Sequence, residues 1–203
     1  TFANGLRTPV RQDPDIIMVG EIRDNETAAL AINASLTGHL VLSTLHTNSA
    51  AGAIPRLLDM KVEPFLLVST LDVVIAQRLV RKLSAGKKKY FLSKEELKSL
   101  GNVISLDRML EKIVDRKTKG DKIPVYKPVS GRESEDGYGG RVGMHEVLKV
   151  TPTIKDLIMK GATAAVIEEQ AKAEGMMTMI EDGIFKAVQG QTTIEEVLRV
   201  VSE

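Results

Sequence analysis

Asp13-Pro14-Asp15-Ile16-Ile17-Met18-Val19-Gly20-Glu21-Ile22-Arg23-Asp24 is the stretch that decides how this chain is read. Four apolar residues run straight into Gly20 and then an acid. A short unbroken apolar run bounded by turn residues predicts a fully buried strand of a parallel sheet. Such sheets place their chemistry at the carboxyl ends of their strands, which is where Glu21 stands. A carboxylate buried there is costly unless something cationic meets it; the plain alternative is a strand-end acid facing solvent.

The period changes after Glu21. Asp24 is positioned to cap a helix, and Glu26 puts an acid in its first turn, where the helix dipole favours it. Ala28 to Leu36 is apolar almost all round, which predicts a helix buried on most faces, with Gly38 just past its end. His39-Leu40-Val41-Leu42-Ser43-Thr44-Leu45 then reads as a second buried strand. Strand, helix and strand in this order form a βαβ crossover, so the two strands are expected to run parallel. Parallel strands put Glu21 and His46 at one edge of the sheet. His39 lies about 23 Å further back at about 3.3 Å per residue, so it is not expected to reach that edge. Asp15, about 20 Å from Glu21 along the first strand, is set aside by the same arithmetic. In nucleotide hydrolases an acid so placed works on a magnesium ion or a polarised water. For His46 the plain alternative is a polar residue at a strand end.

Composition narrows the classes. The 203 residues allow one large domain or two small ones, and 43% hydrophobic content with 3% aromatics calls for an aliphatic core. Lys and Arg number 28 against 27 Asp and Glu, a formal charge of +1, so no global field draws in nucleic acid or anionic lipid. The absence of cysteine excludes disulfides and thiolate metal sites. Pro64 to Ala76, the most apolar stretch, is too short to span a bilayer and carries Asp72. A soluble, intracellular protein is the expectation. Its opening at Thr1, without a start methionine, is expected of a piece of something longer.

Leu6-Arg7, Arg11-Gln12-Asp13-Pro14-Asp15, Gly20-Glu21-Ile22-Arg23-Asp24 and Thr37-Gly38-His39-Leu40-Val41-Leu42-Ser43-Thr44-Leu45-His46-Thr47-Asn48 together resemble the type II secretion and type IV pilus assembly ATPase family. The blocks through Gly20-Glu21 resemble that family's Walker B region, and the last its histidine box. The resemblance continues through Arg56 to Met60 and Ala76 to Leu83, resumes at Gly137-Tyr138-Gly139-Gly140-Arg141, and runs from Gly175 to the end. It implies that Glu21 is the Walker B acid, acting on magnesium directly or through water, and that His46 faces the γ-phosphate. Arg7, Arg11 and Arg23 match basic positions near the nucleotide or a subunit boundary, where a guanidinium can stabilise charge on a phosphoryl group. Surface salt bridges are the other reading of all three. The implied cofactors are ATP and magnesium. The implied partners are further copies of the protein in a hexameric ring and an inner-membrane platform protein, with no nucleic acid; the implied location is the cytoplasm, peripheral to the inner membrane.

Half of such a site is missing from the sequence. No G-x-x-x-x-G-K-[ST] occurs, and Gly86-Lys87-Lys88 lacks both the first glycine and the hydroxyl. A triphosphate needs that loop of backbone N–H groups. The expected fold class is therefore α/β, the second half of a RecA-like P-loop ATPase core with a parallel sheet and flanking helices over residues 1–83. A small α+β module over 84–148 and a helical region over 149–203 are expected to follow. The chain alone is expected to be inactive, the longer parent to be an ATPase.

The middle module departs from the family. Ser84-Ala85-Gly86-Lys87-Lys88-Lys89 reads as a solvated linker. Ser93-Lys94-Glu95-Glu96 is a capping box opening a short helix. A helix over 106–116, a strand over 123–126, a Gly-rich loop and a strand from Arg141 to Leu148 complete the module. Many family members hold zinc here on two Cys-x-x-Cys pairs; the matching positions are Ser84, Lys87, Ser130 and Glu133, so no zinc site is expected. Helices are expected from Thr151 to Met159, Thr163 to Ala173, Met176 to Val188 and, from a second capping box at Thr193 to Glu196, through Val200. Met176, Met177, Met179 and Ile180 read as core packing. The resemblance implies a motor for pilus assembly or type II secretion; the long module between Leu83 and Arg141 favours assembly over retraction. The alternatives are a retraction or DNA-transfer ATPase of the same superfamily, or a non-enzymatic interaction domain. A phosphate loop upstream in the same reading frame would decide for the motor.

Overall fold

Residues 14–101, 105, 123–131 and 134–202 are described by the structure, a computed structural model. They fall into two compact units, each discontinuous in sequence: 1–76 with 147–176, and 77–146 with 177–203.

The first unit opens with β1 (Ile16–Val19), α1 (Asn25–Leu36) and β2 (Leu40–Ser43). β1 and β2 pair in parallel, from Ile16 against Leu40 to Val19 against Ser43. Asp24 Oδ1 accepts from the Thr27 N–H at 2.8 Å, capping α1, and Gly38 at φ 95° takes the chain away from its end. Burial differs from the expectation. Ile17 and Val19 lie inside against Ala31 and Ala34, whereas Ile16, Met18, Leu40 and Leu42 are exposed. The strands are thus covered on one face, and α1 buries a stripe of Thr27, Ala28, Ala31 and Ala34 rather than most of its surface. Apolarity along a strand requires a cover on both faces only where a layer lies on each.

α2 (Ala53–Asp59) and α3 (Pro64–Thr70) follow, and α5 (Pro152–Met159) and α6 (Ala164–Ala173) complete this unit. Thr151 caps α5, its Oγ1 accepting from the Ile154 N–H. The core joins Ile54, Leu57 and Leu67 to Leu148, Ile154, Ile158 and Ile167. Ile154 and Ile158 are wholly buried, one turn apart on one helix face. At about 25 cal/mol per Å² each contributes about 2–3 kcal/mol, so this face and not helix propensity holds α5 in place.

Strands β3 (Val73–Leu83) and β6 (Tyr138–Lys149) pair with each other, and the boundary between the units falls inside both. The second unit adds β4 (Lys88–Phe91), α4 (Lys94–Gly101), β5 (Pro124–Lys127), α7 (Met179–Val188) and α8 (Ile194–Val201). β4 pairs antiparallel with β5, so Lys88 and Lys89 belong to a strand and not to a linker. Lys87 is engaged as well: its Nζ donates to the Gly190 carbonyl at 2.6 Å and lies 5.2 Å from the Tyr126 ring centre. The capping box at Ser93 and Glu96 is formed in both directions. The helix expected over 106–116 lies outside the described residues. α7 begins at Met179, three residues later than expected, because Thr178 and Glu181 form a reciprocal capping box there. Met176 and Met179 are buried.

The expected box at Thr193 and Glu196 forms only halfway. Thr193 Oγ1 accepts from the Glu196 N–H, but the Glu196 carboxylate turns to Arg81. Its Oε1 takes Arg81 Nη2 at 2.5 Å and Arg199 Nε at 3.0 Å, and its Oε2 takes the Arg81 backbone N–H at 3.2 Å. Arg81 also lies 4.2 Å above the Tyr138 ring centre and 3.1 Å from Asp136. A nearly buried carboxylate satisfies itself with two guanidinium groups before a backbone amide that solvent or a hydroxyl can serve.

Candidate active site

Glu21 follows the end of β1 by two residues, and His46 follows β2 by three. Parallel pairing brings them to the same edge: His46 Nε2 stands 3.1 Å from Glu21 Oε2. The same oxygen takes Arg23 Nε at 2.6 Å. Arg23, two residues on from Glu21 and outside any strand, reaches back to it with its side chain. His39 lies at the opposite end, its Nδ1 3.0 Å from the Ala34 carbonyl and 3.1 Å from Thr37 Oγ1. Asp15 precedes β1, where its carbonyl accepts from the Leu40 N–H. Arg7 and Arg11 lie outside the described residues.

The Glu21 side chain is 26% exposed, against 72% for Arg23 and 83% for His46. The Arg23 hydrogen bond holds the Glu21 carboxyl below the usual carboxylate range; partial burial opposes this, and the His46 contact assists it. Glu21 is therefore ionised at neutral pH and accepts only, so His46 Nε2 carries the proton in their contact. A carboxylate in this state is a weak base and a ready ligand for a cation or its waters.

The backbone around Glu21 is held by a residue that spacing alone does not single out. Thr44 Oγ1 donates to the Gly20 carbonyl at 2.7 Å, and the Thr44 carbonyl accepts from the Ile22 N–H at 2.9 Å. Its sequence signal is slight: a hydroxyl residue just past a strand, two positions before His46. In the same unit an apolar cleft of about 390 Å³ is lined by Ile22, Val41, Leu45, Leu67, Leu71 and Val74 among others. Among the described residues no cationic side chain lines it, and Glu21 and His46 are not among its walls.

Residues 1–199 match the family model described as type II/IV secretion system protein. The chain belongs to that family. Type II secretion system protein E of Xanthomonas campestris is 49% identical over 204 residues, covering 100% of this chain and 34% of that protein. The type IV pilus assembly ATPase PilB of Pseudomonas aeruginosa is 45% identical over 206 residues, with the same two coverages. The chain thus spans about a third of the length of these members of the secretion family. Among solved structures, the pilus retraction motor PilT with bound ADP superimposes with a TM-score of 0.63 at 27% identity, over 98% of this chain and 43% of that one. A mixed α/β fold is shared with that motor, and among the described residues no helix is long and apolar enough to cross a membrane.

Proposed function

We propose that this chain is the part of a hexameric motor ATPase that carries the Walker B acid and the histidine box of a RecA-like core, in a protein that powers type IV pilus assembly or type II secretion. The observation that carries the reading is the meeting of Glu21, Arg23 and His46 at one end of a parallel strand pair. Identities of 45–49% to proteins named for secretion and pilus assembly, against 27% to a retraction motor, favour assembly or secretion over retraction.

Magnesium fits the site in one specific mode. The ion keeps several waters and takes one or two carboxylates together with substrate phosphates. Among the described residues no group of three or more His, Asp or Glu side chains is placed to cage an ion, whereas Glu21 offers a single ionised carboxylate at a strand end. Glu21 is the residue that would hold the ion, directly or through its waters. Bound magnesium would supply charge neutralisation on the β- and γ-phosphates. Within this chain, Glu21 provides fixed negative charge, and Arg23 pairs with it and holds its carboxyl below the usual carboxylate range. His46, whose Nε2 faces Glu21, stands at the same edge as the imidazole assigned to face the γ-phosphate. Arg23, and Arg7 and Arg11 upstream of the first strand, are assigned to the phosphates or to the boundary with a neighbouring copy. The membrane platform of the machine is the assigned docking partner.

The phosphate loop is absent from this sequence, so the chain on its own should neither bind ATP tightly nor hydrolyse it. Calorimetric titration of the 203-residue chain with magnesium and ATP is expected to show no binding at micromolar concentrations, while the longer protein binds and turns over. Micromolar affinity in the chain alone would overturn the division of the site.

A further inference from the structure

We propose that Thr44 is a positioning residue for Glu21, fixing the peptide planes on both sides of the acid. The proposal rests on the reading of Glu21 as the acid of an ATP-hydrolysing site. The Gly20 carbonyl belongs to the peptide group before the Glu21 Cα, and the Ile22 N–H to the one after it. Thr44 binds both, the first through its hydroxyl at 2.7 Å and the second through its own carbonyl at 2.9 Å. Because each peptide group is planar, holding the two planes restrains φ and ψ of Glu21 and hence the direction of its Cα–Cβ bond, from which the side chain reaches Arg23 and His46.

The regular pairing ends at Val19 opposite Ser43, one residue short of the Gly20 carbonyl and of Thr44 and three short of the Ile22 N–H. The Thr44 hydroxyl supplies a partner for the Gly20 carbonyl where the strand ladder has stopped. Thr44 also stands two residues before His46, so one residue ties the backbone at Glu21 to the segment that delivers the imidazole. The 3.1 Å contact between Glu21 and His46 is thereby braced from the backbone as well as from the side chains. Serine preserves the hydroxyl; valine has the shape of threonine without it, and the carbonyl contact survives in either.

The test is steady-state ATP hydrolysis by the full-length protein carrying this chain, with melting temperature measured alongside. Thr44→Val is expected to lower kcat about three- to ten-fold with KM unchanged, since the loss is of orientation and not of nucleotide binding. Thr44→Ala should behave alike, and Thr44→Ser should return to within about two-fold of wild type. In a Glu21→Gln background, single-turnover phosphate release should fall no further when Thr44→Val is added, because Thr44 acts through Glu21. Wild-type kcat in both Thr44→Val and Thr44→Ala, or a loss that multiplies with Glu21→Gln, would overturn the proposal while leaving the functional reading in place. Normal turnover in Glu21→Gln alone would overturn both.

Discussion

Replacing Glu196 by Gln removes a buried charge of the second unit while keeping the side chain's volume. The carboxylate is 3% exposed and is held by Arg81 and Arg199. The Arg81 hydrogen bond, opposed by burial and assisted by Arg199, lowers the Glu196 pKa from 4.5 to about 2. At about 1.36 kcal/mol per tenfold step this corresponds to about 3 kcal/mol. Arg81 is 45% and Arg199 49% exposed, so solvent screens part of it, and about 2 kcal/mol is the expected loss at pH 7. The folded pKa lies below the unfolded one, so the contribution is fully present above pH ~4.5 and disappears as pH falls through about 2. Urea unfolding of wild type and Glu196→Gln, followed by circular dichroism, should show a gap of about 2 kcal/mol at pH 7 that narrows steadily below pH ~4. A gap that is the same at pH 7 and pH 3, or below about 0.5 kcal/mol at pH 7, would refute the account of Glu196 as a charged anchor.

The remaining predictions concern the metal and the imidazole. The family resemblance implies zinc positions at Ser84, Lys87, Ser130 and Glu133, so elemental analysis of the purified chain is expected to find zinc well below one equivalent, with no shift of its melting in EDTA. Stoichiometric tightly bound zinc would show the alignment of this module to be wrong. In the longer protein His46→Ala should reduce ATP turnover more than His39→Ala, because His39 lies at the far end of the strand against the Ala34 carbonyl. Equal losses would contradict that geometry.

What was legible in the sequence was local or periodic. The parallel pairing of β1 with β2, the Asp24 and Thr151 helix starts and the meeting of two strand ends follow from patterns within a few dozen residues, whereas the helix expected from Met176 starts at Met179 behind the Thr178–Glu181 capping box. What failed to show depends on groups far away in the chain. Ile16, Met18, Leu40 and Leu42 are as apolar as Ile17 and Val19, and no local pattern tells which face carries a covering layer. Glu196 leaves its local box for Arg81, 115 positions distant, and Lys87 leaves an apparent linker for a carbonyl 103 positions away. At the site, residue types point to Glu21 and His46 as candidates, and the structure brings those two side chains together. Thr44 contacts the backbone beside Glu21 through its carbonyl and a hydroxyl that looks ordinary in a strand. Arg23 is singled out through the resemblance alone, and its pairing with Glu21 is seen only in the structure.

The most direct test of the central claim is Glu21→Gln in the longer protein, with ATP affinity and phosphate release measured on the same preparation. The substitution keeps the side chain's size and removes the negative charge assigned to magnesium and its waters. Turnover should fall at least about a hundredfold while the ATP dissociation constant changes by less than about threefold. Turnover within a few-fold of wild type would contradict the assignment of Glu21 as the acid of the site.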